Sequence, residues 1–237
     1  MIETLYLIPH MQITEIYKSI QGESSYAGLP CVFVRLTGCN LRCSWCDSEY
    51  TFTGGQKMTL EQVEAEVEQL SPDGGLVEIT GGEPMLQEKE VIPLMDRLLN
   101  SGCTVLLETS GERPLDKVPR EIVKIVDVKC PNSGEPDTFR MENLDALTLR
   151  DEVKFVLSDR VDYEFARDFT ADHKLGGRVG SVIFSPAFDK QAGGGRDTSH
   201  CLLDPRELAE RLLADNVPAR LGLQIHKFIW DPAMKGV

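Results

Sequence analysis

Apolar residues recur along this chain in two alternating rhythms. Short runs rich in β-branched and aromatic residues, such as Cys31–Thr37 (CVFVRLT), have the length and composition of buried strands. Elsewhere apolar positions return every three or four residues. Leu60, Val63, Val67 and Leu70 fall on one face of a helix whose remaining positions are largely acidic. The same reading predicts strands at Leu76–Thr80, Thr104–Glu108, Ile122–Val128, Val153–Leu157, Ser181–Phe184 and Arg220–Ile225, and a helix at Val91–Leu99. Asp204, Pro205 and Glu207 supply an N-cap, an N1 proline and a capping-box glutamate for a further helix through Ala214.

Strands and helices in alternation imply parallel pairing through right-handed crossovers. Six or seven strands are too few for a closed eight-fold barrel, and 129–150 lacks a clear long helix. The expectation is an α/β fold, an incomplete parallel (βα) barrel or an open parallel sheet, with ligands at the C-terminal ends of its strands. No repeat, low-complexity segment or Pro/Ser-rich linker divides residues 1–237, so one domain is expected. Asp189–Thr198, with three consecutive glycines, reads as a lid or as a plain surface loop.

Composition narrows the classes. The 237 residues carry 25 Lys plus Arg against 38 Asp plus Glu, a formal charge of −13. Such a chain repels phosphate backbones, which argues against broad nucleic-acid or anionic-membrane binding. No apolar run approaches the roughly 18 residues that cross a bilayer, and Met1–His10 lacks a basic leader with a cleavage site. Seven cysteines, an odd count without an export signal, argue for reduced thiols and a cytoplasmic location.

Three of those cysteines fall within eight residues: Cys39-Asn40-Leu41-Arg42-Cys43-Ser44-Trp45-Cys46. One loop can thus wrap three thiolates around one centre with little closure entropy. Structural zinc takes four ligands, normally as two separated pairs, and Cys31, Cys103, Cys130 and Cys201 form no second pair. A [4Fe–4S] cube held by three cysteines leaves one iron open to a ligand. One βα unit later, Thr80-Gly81-Gly82-Glu83-Pro84 follows a predicted strand, offering close backbone approach and a carboxylate acceptor.

The CxxxCxxC spacing with an aromatic before its last cysteine, followed by TGGEP, resembles the radical S-adenosylmethionine (SAM) superfamily. Ser19-Ile20-Gln21-Gly22-Glu23, Arg35 twelve residues further on, and Cys46-Asp47-Ser48 narrow the resemblance to the 7-carboxy-7-deazaguanine synthase family. Glu108-Thr109-Ser110-Gly111, Asp127-Val128-Lys129-Cys130-Pro131 and Gln224-Ile225-His226-Lys227 follow in the family's order. The resemblance covers residues 11–237, with Met11 an alternative start and 1–10 an extension.

The resemblance implies a radical SAM-type incomplete barrel. It implies Cys39, Cys43 and Cys46 as ligands of a [4Fe–4S] cluster and Ser48 as an oxygen ligand of Mg²⁺ in place of the family's usual threonine. A SAM site would comprise Trp45, Cys46, Asp47, Gly82, Glu83, Ser110, Asp127, Val128, Lys129, Ser185, Pro186, Ala187 and Phe188, where Ser185-Pro186 departs from the Gln-Pro of some relatives. Ile20, Gln21, Gly22, Glu23, Arg35 and Thr80 would hold the substrate. Gln21 can donate to and accept from a pterin edge, ionised Glu23 accepts from its N–H groups, and Arg35 is a fork suited to a carboxylate. His226 would be either structural or ligand-facing.

The implied reaction converts 6-carboxy-5,6,7,8-tetrahydropterin to 7-carboxy-7-deazaguanine, part of queuosine biosynthesis, with loss of ammonia. It starts from a 5′-deoxyadenosyl radical made at the reduced cluster. Partners would be the pterin, a reductant such as flavodoxin or ferredoxin, and a second copy of the chain. A glycyl-radical-enzyme activase, which shares the cysteine spacing, and a zinc-binding interaction module are the rival readings. The QGE segment and Arg35 argue against the first.

Overall fold

A computed structural model describes residues 10–190, 197–231 and 234–237. Nine strands form one open sheet in the order β3-β1-β2-β4-β5-β6-β7-β8-β9. They are β1 (His10–Ile20), β2 (Pro30–Leu36), β3 (Gln56–Thr59), β4 (Leu76–Gly81), β5 (Thr104–Thr109), β6 (Val123–Asp127), β7 (Glu152–Leu157), β8 (Ser181–Pro186) and β9 (Arg220–Leu221). From β2 and β4 onward every pairing is parallel, as the alternation predicts, whereas β1 pairs antiparallel with both β2 and β3. The incomplete barrel is therefore present, with a two-strand antiparallel extension that the sequence pattern did not signal.

Side chains alternate across each strand, and the two faces carry different chemistry. Val34, Ile79, Leu107, Val126, Phe155 and Phe184 point to the outer face and join one large core. Four amphipathic helices cover it: α1 (Leu60–Leu70), α2 (Glu88–Asn100), α3 (Arg160–Asp172) and the helix at Pro205–Asp215. On the inner face Leu106, Val123 and Ile125 form a small apolar cluster, packed by Tyr26 and Leu76. Nearer the C-terminal ends of the strands, the inner positions become Glu78, Glu108, Asp127 and Lys154.

β1 explains its own irregularity. Its register against β2 shifts between Ile13 and Glu15, so Ile13 pairs with Leu36 while Glu15 pairs with Arg35 and Tyr17 with Phe33. A one-residue bulge moves every following side chain to the opposite face. Met11 and Ile13 consequently lie in the outer core, and Glu15 and Tyr17 turn inward.

One helix cap and the last strand depart from expectation. α1 begins with a reciprocal capping box between Thr59 and Gln62. The helix at Pro205–Asp215 is capped by Asp204, which accepts from Arg206 N at 2.8 Å, but Glu207 pairs outward with Arg211 instead of closing a capping box. It is α5, following the single turn α4 (Leu175–Arg178). The last strand ends after two residues: Gly222 lies against Ile183 and Ser185, and 224–227 turn back toward the sheet interior to start α6 (His226–Ile229). His226 and Lys227 thus open a short helix rather than close a strand. Residues 129–150 contain only 3₁₀ turns, as the lack of periodicity implied. Of the proposed extension only His10 is described, paired with Thr59, and of the glycine loop residues 191–196 lie outside the described residues.

One buried ion pair on the outer face ties β6 to the turn before β7. Lys124 Nζ lies 3.1 Å from Asp151, whose carboxylate also accepts from Lys124 N, Thr148 N and Thr148 Oγ1. Both side chains are essentially inaccessible. Asp151→Ala strands a buried ammonium and three donors, and should lower unfolding free energy by about 3–5 kcal/mol. Denaturant titration tests this; a loss below about 1 kcal/mol would show that the pair is dispensable.

Candidate active site

Glu78, Glu108, Asp127 and Lys154 line one cavity at the C-terminal ends of β2, β4, β5, β6 and β7. The loop after β2 forms one wall and carries the three cysteines. It is anchored by Gly38, which donates to Thr51 O at 2.7 Å, and by Glu83 N, which donates to Gly38 O at 2.8 Å. Cys39, Cys43 and Cys46 are all free thiols that line the cavity. Burial pushes the Cys43 thiol up to about 11, although Lys129 pulls the other way, and Cys39 moves up for the same first reason. A metal entering here displaces those protons.

The donor set discriminates between metal types. Among the described residues, no group of three His, Cys, Asp or Glu side chains converges on a single ion. A closed mononuclear zinc site is therefore a poor fit. A four-iron cube fits better, because its cysteines each bind a different iron and need not meet at one point.

The two glycines after β4 are required for a reason other than ligand approach. A Cβ on Gly82 would sit 2.2 Å from Gly38 O and 2.7 Å from Cys39 Cβ, and one on Gly81, at φ +142°, would meet Leu36 O at 2.3 Å. The glycines let β4 lie flat against the cysteine loop, which fixes where the thiols point. Glu83 also differs from expectation. Its oxygens accept from Met85 N, Thr109 Oγ1, Ser110 N and Ser110 Oγ at 2.7–3.0 Å, and the residue is 1% exposed. With its acceptor sites filled by protein, Glu83 joins the glycine turn to the end of β5 in this structure rather than offering an open acceptor.

The expected SAM residues divide into two groups. Trp45, Cys46, Asp47, Gly82, Glu83, Ser110, Asp127, Lys129 and Phe188 line the cavity. Val128, Ser185, Pro186 and Ala187 do not: Val128 belongs to the outer core, and the other three are buried in and just beyond the last turn of β8. Strand alternation accounts for Val128, since its neighbours Asp127 and Lys129 take the inward side and pair at 2.7 Å. Asp47 pairs with Lys227 at 2.7 Å, and the Lys227 and His226 charges outweigh its burial and hold its carboxyl well below the usual range. Ser48 Oγ lies 3.9 Å from Cys46 Sγ, also in the cavity wall.

All six expected substrate residues, Ile20, Gln21, Gly22, Glu23, Arg35 and Thr80, line the same cavity. Their side chains are less free than expected. Gln21 Oε1 accepts from Glu23 N and Ser24 N at 2.7 and 3.0 Å, and its Nε2 donates to Glu78 at 2.9 Å. It holds the turn instead of presenting both ends of its amide. Arg35 donates from Nε to Glu15 at 2.9 Å and from Nη2 to Tyr17 Oη at 2.8 Å, leaving Nη1 without a partner among the described residues. Tyr50 completes this group, donating to Glu15 at 2.7 Å.

Lys154 and Glu78 are wall residues that no motif anticipated. Lys154, 4% exposed, donates to Glu23 at 2.6 Å and also to Glu108, and Gln224 Nε2 donates to Glu23 at 2.8 Å. Burial pulls Lys154 toward neutrality, but the two carboxylates outweigh it and keep the ammonium charged. His226 packs so closely on Gly22 that a Cβ there would lie 2.1 Å from its Nδ1, and burial holds the imidazole below its ordinary value. A period-two reading of charges inside apolar strands would have found Glu78, Glu108 and Lys154. Cys130 sits in the outer core, not at the cavity, and Cys31 and Cys103 are likewise buried.

Burial pushes Glu23 up, yet the Lys154, His226 and Lys227 charges outweigh it and hold the carboxyl at about 2, against an ordinary 4.5. A group depressed on folding stabilises the native state above its unfolded pKa and loses that contribution as pH falls through the folded one. Wild type should therefore lose stability between pH 4.5 and 2 more steeply than Glu23→Gln. Urea midpoints across that range check this, and parallel curves would show that Glu23 is not held ionised.

Comparison with known proteins agrees with this geometry. The radical SAM superfamily model matches residues 33–129, which span the cysteine loop through Lys129. The 7-carboxy-7-deazaguanine synthase of Koribacter versatilis is 68% identical over 96% of this chain and 100% of its own length. That of Chlorobaculum tepidum is 40% identical over 96% of this chain and 97% of its own. In fold, the crystal structure of QueE from Escherichia coli superposes with a TM-score of 0.70, at 23% identity over 93% of this chain and 97% of that one. The chain belongs to the 7-carboxy-7-deazaguanine synthase family of radical SAM enzymes.

Proposed function

We propose that this protein converts 6-carboxy-5,6,7,8-tetrahydropterin to 7-carboxy-7-deazaguanine with release of ammonia. One observation carries the reading: the three-thiol loop and the Gln21–Glu23 turn open onto a single cavity that also holds Arg35. Radical chemistry and recognition of a carboxylated heterocycle would thus share one space. The continuous sheet from His10 to Leu221 supports treating the chain as one catalytic domain.

Cys39, Cys43 and Cys46 would hold the [4Fe–4S] cluster, and Trp45, Gly82, Ser110 and Lys129 would form walls for SAM. Cluster and SAM together supply a carbon-centred radical for hydrogen abstraction. The protein's own side chains would do the rest. Arg35, charged and fixed by Glu15 and Tyr17, would direct Nη1 to the substrate carboxylate. Glu23 and Glu108, both held by Lys154, would accept from the pterin's amino and ring N–H groups. Thr80 would contact substrate from the end of β4. The inner face, closed below by Leu106, Val123 and Ile125, would keep bulk water away from the reacting carbon.

Ser48 would give Mg²⁺ its one protein oxygen, the remaining positions being filled by substrate and water. Among the described residues, no helix is long and apolar enough to cross a membrane, which together with free cysteines supports a cytoplasmic enzyme. A flavodoxin or ferredoxin would supply electrons, and a homodimer is the expected assembly.

Anaerobic assay of the reconstituted protein with SAM, reductant and carboxytetrahydropterin tests the reaction directly. Cys43→Ala should abolish SAM cleavage, whereas Cys103→Ala should leave it intact. Retained iron content and full cleavage in Cys43→Ala would end the cluster assignment. For the metal, Ser48→Ala should raise the Mg²⁺ requirement at least about tenfold, since even outer-shell partners alter metal affinity by that much. Ser48→Thr should preserve turnover because it keeps the oxygen. Turnover against Mg²⁺ concentration decides, and identical curves for wild type and Ser48→Ala would remove Ser48 from the metal site.

A further inference from the structure

Three carboxyl groups and one ammonium meet at the floor of the cavity. Lys154 bonds Glu23 and Glu108, and among the described residues no cation bonds Glu78. Glu78 lies in the middle of β4, 1% exposed. Its contacts are Gln21, whose Nε2 donates to Oε2 at 2.9 Å, and the Glu108 carboxyl, which lies within hydrogen-bond reach. The titratable groups facing it are Tyr17 from β1, Cys31 from β2, Glu23 from the turn after β1 and Glu108 from β5, and Lys154 from β7 bonds the last two. Burial keeps Tyr17 and Cys31 uncharged, so neither offers a compensating charge.

A dry carboxylate without a cation, pressed against a second carboxylate, takes up a proton. Two carboxyl groups in hydrogen-bond contact also need one proton between them, because an ionised pair offers only acceptors. Lys154, already shared between Glu23 and Glu108, fixes which of the three groups carries it.

We propose that Glu78 is a proton-bearing positioning residue: its O–H donates to Glu108 while its carbonyl oxygen accepts from Gln21. One uncharged side chain thereby ties the turn of residues 21–23 to β5 and sets the spacing of the two acceptors that share Lys154, Glu23 and Glu108. Ionising Glu78 would repel Glu108 and compete with Glu23 for Lys154, disordering the edge that receives N–H donors. The role of that edge rests on the pterin reading above; the location of the proton does not.

Two measurements on the reconstituted enzyme test this. The infrared difference between wild type and Glu78→Gln at pH 7 should contain a protonated-carboxyl C=O band that shifts in D₂O and belongs to wild type alone. Its absence would overturn the assignment. The second is fluorescence titration with 6-carboxypterin across pH. Wild type should bind more weakly as pH rises, and Glu78→Gln, whose amide can still donate to Glu108 and accept from Gln21, should lose that alkaline decline with affinity reduced only a few-fold. Glu78→Leu leaves both partners unsatisfied and should weaken binding about tenfold or more. An alkaline decline that persists in Glu78→Gln, or equal losses in the Gln and Leu variants, would refute the positioning role. Failure of wild type to bind 6-carboxypterin would count against the pterin reading, and the infrared band would then decide the protonation of Glu78 independently.

Discussion

The site is organised by one ammonium group. Lys154 rises from the inner face of β7 and bonds Glu23, from the turn after β1, and Glu108, from β5. In an enclosed space, two carboxylates approach each other only when a cation stands between them. Without Lys154, the inner face would hold several acidic groups and little to oppose their repulsion. With it, the turn at 21–24 is drawn down over the open side of the sheet, and Gln21 and Gln224 lock that turn from either side. The position of the substrate wall thus follows from a charge on a strand that carries none of the sequence motifs itself.

A second constraint is backbone proximity. Gly81 and Gly82 allow β4 to meet β2 and the cysteine loop at distances no side chain would permit. Glu83 then completes the joint by accepting four hydrogen bonds from its own turn and from the end of β5. The TGGEP segment is therefore a structural clasp first. It fixes three thiols relative to the sheet, and sheet and thiols relative to Ser110. A loop presenting an iron–sulfur cluster to a bound cofactor needs this rigidity, since small displacements at a reacting centre are costly in rate.

Other interactions tie the edges of the sheet to the same cavity. The bulge in β1 turns Glu15 and Tyr17 inward, where they clamp Arg35. The C-terminal segment contributes Gln224 to Glu23 and Lys227 to Asp47, bridging the substrate turn and the cysteine loop. Glu15, Glu23 and Asp47 are each met by a donor from another part of the chain, which suits a chain of net charge −13 that must still enclose an anionic substrate. Arg35, Lys129, Lys154 and Lys227 concentrate cationic charge where the overall composition is acidic.

Alternation of apolar runs was enough to identify the parallel strands from β2 to β8, because burial on both faces demands continuous hydrophobic segments. The cysteine spacing likewise identified one wall of the site, since three ligands in one loop need no tertiary partner to be recognised. β1 is hidden in the pattern because its bulge breaks period two at Thr14, and α3 because charged residues interrupt its apolar positions throughout Arg160–Asp172. The sequence could name Gln21, Arg35 and Glu83 but not what they bond, since each partner lies far along the chain: Glu78, Glu15 and Ser110. Motif position alone puts Val128 and Ser185–Ala187 at the cavity, whereas in the fold Val128 turns to the outer core and Ser185–Ala187 are buried at and just beyond the end of β8. Local pattern determines which segments become strands and which loop carries thiols. Only the folded sheet decides which charges share a low-dielectric space, because Coulomb interaction and desolvation depend on distance in space and not on separation in sequence.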